Sequence, residues 1–399
     1  MNRPDPFDPQ KLEVIIVGSG PAGLSTALHL AKGSPELVAR TLILEKARHP
    51  RSKLCGGGIL PDAERLLQQL GLDITEIPHT DVDWAHFHFE GKGFKFRPDP
   101  DLPFAFRVVR RDEFDAWLAA KARERGFVIQ ENTNVKGVNV TGSGVKVSTD
   151  RGLLQAEVVV GADGSSSLLR RAILPRESLH VARLLEVVTE AGSQKSFHRQ
   201  GDSYFDFIVV PQGIQGYAWD FPALVKGKPV RVRGVYDGNL QPFNADITLP
   251  HALEDELERH GLHLSDYTVE GHPLRWFDAN SIFSAPRVLL AGDAAGADAL
   301  FGEGISIALG YGRLAAVAIR DAVDRRDFSF RDYKPAILAS EMGKSLRRRT
   351  WWARFFYSLR WRPFQRLFWT RLGPIVVWVM RHFLLGWARR QEGQSSQSD

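Results

Sequence analysis

The chain has 399 residues, of which 43% are apolar and 25% charged, a composition typical of a folded protein with one large domain or two smaller ones. A single cysteine, Cys55, excludes an intramolecular disulfide framework and suits a reducing compartment. Apolar runs are too short to span a bilayer, and residues 1–11 are polar and proline-rich, unlike a secretory signal. We therefore expect a cytoplasmic protein.

The positive charge is concentrated near the C-terminus. Residues 344–390 hold 12 of the 52 lysines and arginines and no acidic residue, whereas residues 1–343 hold 40 basic and 45 acidic residues. This distribution argues against nucleic-acid binding by the body of the chain. It predicts a local anionic partner for the basic segment.

The first predicted elements form a strand, a tight turn and a helix. The apolar run 14–17 leads into Gly18, Gly20 and Gly23, which have the spacing G-x-G-x-x-G. Such a turn brings the N-terminus of a helix against a pyrophosphate. Glu45 ends the next apolar run, where an acid is expected to bind ribose hydroxyls. These residues predict a dinucleotide site but leave NAD and FAD open.

Further along, apolar strands end in two more Gly/Asp turns. Residues 158–160 lead into Gly161-Ala162-Asp163-Gly164, and residues 288–291 lead into Gly292-Asp293. A glycine-rich loop at 56–58 precedes a short helix, and alternating stretches between 180 and 275 predict an antiparallel sheet. Each aspartate also suits a helix N-cap, so a purely structural role stays open for both.

The segment Tyr217-Ala218-Trp219-Asp220-Phe221-Pro222 predicts an apolar wall. Residues two apart on a strand share a face, so Tyr217, Trp219 and Phe221 lie side by side, and Pro222 is expected to stop the strand. Such a wall suits a long apolar substrate, because each buried methylene contributes about 0.8 kcal/mol. A core aromatic cluster is the alternative.

Together the three glycine turns resemble those of flavoproteins with the p-hydroxybenzoate hydroxylase fold. The resemblance covers most of residues 12–320 and implies FAD, with its pyrophosphate on the first turn and Asp293 near the ribityl or phosphate region. It implies a joint structural and nicotinamide-related role for Asp163. The cofactor contacts it implies are Gly18, Ser19, Gly20, Ala22, Gly23, Glu45, Lys46, Cys55, Gly56, Gly58, Arg111, Val135, Asp163, Gly292, Asp293, Gly302, Gly304 and Ile305.

Within that fold, two stretches resemble the geranylgeranyl reductase family: Lys53-x-Cys55-Gly56-Gly57-Gly58 and Tyr217-x-Trp219-x-Phe221-Pro222. The resemblance implies reduction of isolated C=C bonds in polyprenyl chains, with Tyr217, Trp219, Phe221 and Pro222 binding the substrate. Cys55, Tyr217 and Trp219 then position it for catalysis. Arg111-x-x-Phe114-Asp115 also matches and implies that Arg111 contacts FAD. Ala299-Leu300 stands where the family usually has a proline, so the shape of that loop is open.

We therefore expect an α/β protein with a Rossmann-type FAD-binding domain formed by residues 12–80, 108–175 and 276–340. An inserted antiparallel-sheet domain for the prenyl chain is expected at 81–107 and 176–275. A helical, membrane-associating segment follows at 341–390, and residues 391–399 are expected to be a disordered tail.

The membrane prediction comes from residues 345–390, which hold six of the ten tryptophans interleaved with eleven arginines. Aromatic and basic residues together suit the headgroup region of a bilayer. A helical cover packed on the FAD domain is the alternative, and RNA binding is the least favoured one. Deleting residues 345–399 is expected to abolish membrane binding and to spare flavin chemistry.

The sequence thus predicts a peripheral membrane flavoenzyme that reduces a prenyl diphosphate, prenyl lipid or isoprenoid quinone tail. NADPH or a reduced electron carrier is the expected donor. The alternatives are a flavin-dependent monooxygenase or halogenase of an aromatic substrate, and a flavin-bearing membrane adaptor. Cys55 either packs and positions or gives a proton, and packing is favoured because a buried thiol is a reluctant acid. No metal or nucleic acid is expected, and the sequence leaves the oligomeric state unknown.

Overall fold

The computed structural model describes residues 12–174, 181–191, 199–242 and 245–395. The strands are β1 (Val14–Val17), β2 (Thr41–Leu44), β3 (Gly58–Ile59), β4 (His79–Val82), β5 (Ala85–Phe89), β6 (Lys92–Phe96), β7 (Phe106–Val109), β8 (Val128–Gln130), β9 (Val135–Thr141), β10 (Gly144–Thr149), β11 (Gly152–Ala156), β12 (Val158–Gly161), β13 (Val181–Glu190), β14 (Ser203–Asp206), β15 (Gly216–Val225), β16 (Lys228–Asp237), β17 (Glu270–Arg275), β18 (Ser284–Ala285) and β19 (Val288–Leu290).

The α-helices are α1 (Pro21–Gly33), α2 (Pro61–Gln69), α3 (Arg111–Glu124), α4 (Leu168–Ile173), α5 (Leu249–Glu258), α6 (Ile305–Arg325), α7 (Tyr333–Ala339), α8 (Glu341–Ser358), α9 (Arg362–Arg371), α10 (Gly373–Val379) and α11 (Trp387–Ser395). Single helical turns occur at Pro35–Arg40, Ile74–Glu76, Leu264–Asp266 and Gly292–Ala294, and Met380–Leu384 forms a π-helical turn.

A six-stranded sheet in the order β18-β19-β12-β1-β2-β8 carries the first and last glycine turns. Its strands are parallel except for the edge strand β18. Every residue of β1, β2, β12 and β19 is buried, as expected for a parallel sheet covered on both faces. The strands come from three separated stretches of the chain, so the fold is the predicted Rossmann-type α/β architecture.

A second sheet, in the order β17-β13-β16-β15-β14-β5-β6, is antiparallel except where β14 pairs with β5. The hairpin β5–β6 thereby joins strands from beyond residue 180, as the sequence predicted. The boundaries at 81 and 107 are misplaced, because they cut through β4 and β7, which pair with each other beside β3 in a small separate sheet. The predicted boundary at 175–176 lies outside the described residues.

Helices α8 to α11 are built into the fold. Leu346 and Trp387 join the hydrophobic core around the six-stranded sheet, and Phe356 and Trp369 join the core against the seven-stranded sheet. The helical cover considered as an alternative is therefore present. Deleting residues 345–399 removes side chains from both cores, so we no longer expect such a deletion to spare flavin chemistry.

Two further facts concern this C-terminal segment. Helix α11 continues to Ser395, so the prediction of a disordered tail is wrong for 391–395, and 396–399 lie outside the described residues. In the described parts of the chain, no helix combines the length and the apolar character needed to cross a membrane.

Candidate functional site

The turn after β1 places the N-terminus of α1 at the edge of a large cavity. Gly18 has φ +102°, and a Cβ there would lie 2.3 Å from the Ala162 carbonyl oxygen. A Cβ at Gly23 would lie 2.0 Å from the Gly18 oxygen, so both positions exclude a side chain. Gly20 faces the cavity and leads into α1 at Pro21. Backbone N–H groups at this helix end form a cradle for an anion.

Glu45 follows β2 and lines the same cavity. Its Oε2 accepts hydrogen bonds from the Ser19 amide at 3.0 Å and hydroxyl at 2.8 Å, and Oε1 accepts one from the Ala47 amide at 3.1 Å. Burial raises the pKa of Glu45, but Arg51 and the Ser19 hydrogen bonds outweigh burial and hold the pKa below its ordinary value. The carboxylate is therefore ionised at neutral pH. Ser19 lies behind it, outside the cavity lining, and orients Glu45.

Asp163 caps a helix and also faces the cavity. Its Oδ2 accepts hydrogen bonds from the amides of Leu168 at 2.7 Å and Leu169 at 3.3 Å, at the start of α4. Its buried Oδ1 has no hydrogen-bond partner among the described residues, and burial raises the pKa of this carboxyl. The capping role considered from the sequence is present, and one oxygen is left for a donor from a ligand.

Asp293 lines the cavity beyond β19, in a turn where Gly292 has φ +64°. Its Oδ2 accepts a hydrogen bond from the Ser165 hydroxyl at 3.2 Å, which connects the second and third glycine turns. Gly304 begins α6 close by, since a Cβ there would lie 3.5 Å from Asp293 Oδ1. The three turns, far apart in sequence, thus meet at the carboxyl ends of neighbouring strands.

The loop around Cys55 is fixed against β7 and α3. The Gly57 amide donates to Cys55 Sγ at 3.4 Å, and Gly57 has φ +77° with a Cβ position only 2.0 Å from the Val109 carbonyl oxygen. Arg111 donates to both carboxylate oxygens of Asp115, at 2.9 and 3.0 Å. Burial opposes the charge of Arg111, but Asp115 and the Cys55 sulfur outweigh it and hold the pKa of Arg111 above its ordinary value.

An aromatic wall on β15 faces this loop. Tyr217, Trp219 and Phe221 alternate along the strand and all line the cavity. A Cβ at Gly56 would lie 3.1 Å from the Phe221 ring and 3.4 Å from Trp219 Nε1, so the wall and the loop approach closely. Trp219 Nε1 is buried and has no hydrogen-bond partner among the described residues.

Pro222 does not belong to this wall. β15 continues to Val225 with Pro222 opposite Arg231, so the prediction that Pro222 ends the strand is wrong. The neighbouring strand β14 pairs with β15 only as far as Asp220, and a proline is tolerated where no partner needs its N–H. Pro222 points to the other face and does not line the cavity.

The turn before α6 contains Ala299-Leu300 in place of the proline discussed above. Side-chain hydrogen bonds hold this turn. Asp298 accepts hydrogen bonds from the Leu300 amide at 2.8 Å and the Phe301 amide at 3.2 Å. Three tyrosine hydroxyls donate to three consecutive carbonyls of the turn: Tyr236 to Ala299, Tyr357 to Leu300 and Tyr217 to Phe301. These contacts define the loop shape that the sequence left open.

Arg349 of α8 connects this turn to the C-terminal segment. Fully buried, it places Nη1 3.2 Å from Asp298 and 3.0 Å from Glu303, and its Nε donates to the Leu384 carbonyl at 2.8 Å. Sequence reasoning counted Arg349 among the membrane-facing arginines and missed this contact. No local pattern could have found it, because its partner carboxylates lie about 50 residues earlier.

The three glycine turns, the loop around Cys55 and the aromatic wall all contribute residues to one cavity of about 660 Å³. Of the residues predicted from the sequence, those that line it are Gly18, Gly20, Ala22, Glu45, Lys46, Cys55, Gly56, Gly58, Arg111, Val135, Asp163, Tyr217, Trp219, Phe221, Gly292, Asp293, Gly302, Gly304 and Ile305. Ser19, Gly23 and Pro222 do not line it. Sequence reasoning missed Lys53, His272, Phe205, Met380 and Leu385, which do.

Lys53 and His272 form a pair at the edge of the cavity, with Lys53 Nζ bonded to His272 Nε2. Burial and the Lys53 charge lower the pKa of His272 to about 4, so the imidazole is neutral at physiological pH and its Nε2 accepts a hydrogen bond from the Lys53 ammonium. Burial also lowers the pKa of Lys53.

The site fits FAD by its own chemistry. It offers a glycine-lined helix N-terminus for the pyrophosphate, an ionised carboxylate at the end of β2 for ribose hydroxyls, and an unpaired Asp163 oxygen for a further donor. The aromatic wall on β15 and Gly56, which carries no side chain, line the same cavity.

These features define a flavin-dependent oxidoreductase of the Rossmann type. Residues 11–232 match the family described as the FAD binding domain, which is more than half of the chain. The chain belongs to this family, and FAD is its cofactor.

Two relatives to which the chain is similar are named as reductases. The chain is 24% identical over 377 residues to a digeranylgeranylglycerophospholipid reductase 3 of Methanosphaera stadtmanae, covering 85% of both chains. It is 27% identical over 326 residues to a menaquinone reductase of Mycolicibacterium smegmatis, covering 77% of this chain and 76% of that protein.

Solved structures agree on the fold. A geranylgeranyl bacteriochlorophyll reductase-like protein from Thermoplasma acidophilum aligns with a TM-score of 0.76 and 21% identity over 95% of both chains. The halogenase PltM in complex with phloroglucinol and FAD aligns with a TM-score of 0.68 and 18% identity, covering 96% of this chain and 85% of that one. The predicted flavoprotein fold is confirmed, and the predicted resemblance to geranylgeranyl reductases is confirmed as a similarity in sequence and fold.

Proposed function

We propose that the enzyme saturates C=C bonds of a polyprenyl chain. The observation that carries this proposal is the close approach of the aromatic wall Tyr217–Trp219–Phe221 to the glycine-rich loop at Gly56, inside the cavity that also holds the glycine turns. The polyprenyl chain could belong to a prenyl diphosphate, a prenyl lipid or an isoprenoid quinone. Prenyl compounds named for the relatives support this substrate class.

Bound FAD, reduced by NADPH or a reduced electron carrier, would supply the hydride for one alkene carbon, and a proton would complete the other. An isolated alkene has no carbonyl to polarise, so the protein contributes position and exclusion of water. Tyr217, Trp219 and Phe221 bind the chain and orient one double bond. Cys55 lines the same cavity, and its sulfur is held by the Gly57 amide and Arg111, which favours a positioning role over proton donation.

The residues proposed to bind FAD fall into three groups by their place in the cavity. The first glycine turn and Glu45 would hold the adenine half of FAD, Asp163 and Asp293 its middle, and the turn at Gly302–Gly304 its ring system. Lys46, Val135 and Ile305 complete the lining. Arg111 shapes the ring end, since Asp115 fixes its guanidinium.

We further propose that the enzyme works at a cytoplasmic membrane surface. Large apolar side chains on the C-terminal helices face outward: Trp351 is 59% exposed, Trp361 71% and Ile375 61%. Exposed arginines are interleaved with them, namely Arg347, Arg354, Arg362, Arg366 and Arg371. Basic residues close to an anionic bilayer contribute about 1 kcal/mol each, and the aromatic rings suit the headgroup layer.

Anaerobic turnover tests the reductase against the monooxygenase or halogenase alternative. The FAD enzyme is reduced without oxygen and mixed with geranylgeranyl diphosphate, and both flavin reoxidation and the product mass are followed. A reductase reoxidises with a gain of two hydrogens per step. Failure without oxygen, together with NADPH-driven oxygen uptake stimulated by an aromatic compound, supports the alternative. If no substrate reoxidises the flavin, the adaptor hypothesis gains.

A further inference from the structure

The cavity extends from the flavin turns to the C-terminal segment. Met380 and Leu385, which bracket the π-helical turn Met380–Leu384, line the same cavity as Gly56 and Trp219. Outward residues of this turn and its neighbour α10 are exposed, with Trp378 53% and Phe383 39% accessible. One short segment therefore contacts both the proposed substrate cavity and the surface proposed to meet the membrane. π-helical turns occur frequently at functional sites.

Three apolar residues next to this turn, Leu60, Pro98 and Leu385, are called the constriction. Leu60, Pro98 and Leu385 line the main cavity and also a second, separate cavity of about 10 Å³. A space of that size holds about one water molecule. Arg65, Asp99 and Arg389 line its outer side. The three apolar residues thus lie between the large apolar cavity and a small one whose lining includes the charged residues Arg65, Asp99 and Arg389.

Positive charge surrounds the outer side of this constriction. Arg65 and Arg389 share Asp99, at 3.0 and 3.7 Å, so two guanidiniums meet one carboxylate. Arg381 donates to the Arg97 carbonyl at 3.2 Å and lies over the ring of Phe96, which lines the main cavity.

The acids around this site are already engaged. Asp62, on the small cavity, accepts the amides of Gly386 and Ala388 at 3.0 and 2.9 Å, and Glu392 contacts Arg65 at 3.4 Å. Because backbone amides engage Asp62, the guanidiniums of Arg65, Arg381 and Arg389 face two carboxylates, those of Asp99 and Glu392.

We propose that a prenyl chain enters the cavity between Leu60, Pro98 and Leu385. Its phosphate-bearing head group stays outside, held by Arg381, Arg389 and the neighbouring Arg65. This inference rests on the proposed function and specifies the head group as anionic. A phosphate suits arginines because the guanidinium forms two parallel, charge-assisted hydrogen bonds with it. The prenyl phosphate could be a soluble diphosphate or a phospholipid.

The proposed arginine site for the head group is tested by measuring ligand binding to the oxidised, FAD-loaded full chain. Calorimetry measures the dissociation constant of phytanyl diphosphate, which cannot be reduced, and of phytanol, which lacks the phosphate. Arg381→Gln and Arg389→Gln are expected to weaken diphosphate binding roughly tenfold and phytanol binding less than about twofold. Arg371→Gln, an exposed arginine of the same segment away from the constriction, is the control. Equal effects of Arg371→Gln and Arg381→Gln, or equal effects on both ligands, overturn the anionic site.

The proposed entrance is tested by changing the size of the side chain at position 385. Leu385→Trp is expected to slow reoxidation of the reduced enzyme by geranylgeranyl diphosphate at least tenfold, whereas Leu367→Trp, exposed on α9, leaves it unchanged. Leu385→Ala is expected to keep or raise the reoxidation rate. This variant tests the entrance if Leu385→Trp fails to retain FAD. A wild-type rate in Leu385→Trp, or a rate lost in Leu385→Ala with FAD retained, overturns the entrance.

The source of the phosphate is resolved by a third measurement. The same variants are compared with geranylgeranyl diphosphate in solution and with a digeranylgeranyl phospholipid in vesicles; a larger defect with one of them identifies the source. Wild-type enzyme that binds phytanyl diphosphate in an Arg381-dependent way but is reoxidised by neither prenyl substrate refutes the proposed function and leaves the binding site standing.

Discussion

Replacing Arg349 by methionine is expected to destabilise the protein and to loosen the flavin site together. Methionine keeps most of the aliphatic volume but removes the guanidinium that contacts Asp298 at 3.2 Å and Glu303 at 3.0 Å. Arg349 and Asp298 are both fully buried, and breaking a buried ion pair from one side costs about 3–5 kcal/mol. Loss of the hydrogen bond to the Leu384 carbonyl adds about 1 kcal/mol.

The sign of the pH dependence follows from the unpaired carboxylate. Burial already raises the pKa of Asp298, and Arg349 is the main influence that lowers it. Without Arg349 the folded protein holds a proton on Asp298 over a wider pH range than the unfolded chain does. Stability of the variant therefore falls as pH rises, and its deficit is larger at pH 8 than at pH 5.

Urea denaturation of Arg349→Met at both pH values measures these effects, with FAD absorbance recorded at each urea concentration. Arg347→Met, exposed on the same helix, is the matched control and is expected to change stability by less than about 0.5 kcal/mol. Adding Asp298→Asn to Arg349→Met removes the unpaired charge and is expected to recover at least about 1 kcal/mol. Equal unfolding of the two single variants, or no recovery in the double variant, refutes the reasoning.

Three further changes have defined outcomes. Gly57→Ala places a Cβ 2.0 Å from a backbone carbonyl oxygen and is expected to lower the free energy of unfolding by about 1–3 kcal/mol more than Gly71→Ala does. Gly71 has a similar positive φ of +70° but open space around its Cβ position. Urea denaturation and FAD content measure the two variants, and equal losses of stability would contradict the predicted clash. Burial raises the pKa of Glu186 to about 8, so the folded state binds its proton more tightly and loses about 4 kcal/mol of stability between pH 4 and 8. Glu186→Gln should abolish this pH dependence of stability. An unchanged loss of stability between pH 4 and 8, measured by urea denaturation, would contradict the prediction. Replacing Trp351 and Trp361 together by alanine is expected to weaken sedimentation with anionic vesicles roughly tenfold, with FAD content unchanged; undiminished binding argues against the membrane surface.

The parts of the fold that the sequence predicted are those with local signals. Apolar runs such as 14–17 and 158–161 end in glycine turns, and a turn of that kind at the end of a buried strand has few structural alternatives. Alternation on β15 likewise predicted one shared face for Tyr217, Trp219 and Phe221. Such patterns are set by backbone geometry within a few residues.

The parts that the sequence could not predict depend on long-range partners. The pairing of β14 with β15 ends at Asp220, and only that register leaves a strand position that tolerates Pro222. Arg349 has the same local surroundings as its exposed neighbours, and only the packing of α8 against the turn at Asp298 makes it buried. Met380 and Leu385 enter the cavity lining for the same reason.

The most direct test of the central claim is the anaerobic reaction of the dithionite-reduced FAD enzyme with geranylgeranyl diphosphate, followed at the flavin absorbance and by product mass. We predict reoxidation in step with substrate, and products heavier by two hydrogens for each double bond reduced. A flavin that stays reduced until oxygen is admitted, with the prenyl chain unchanged, would contradict the account.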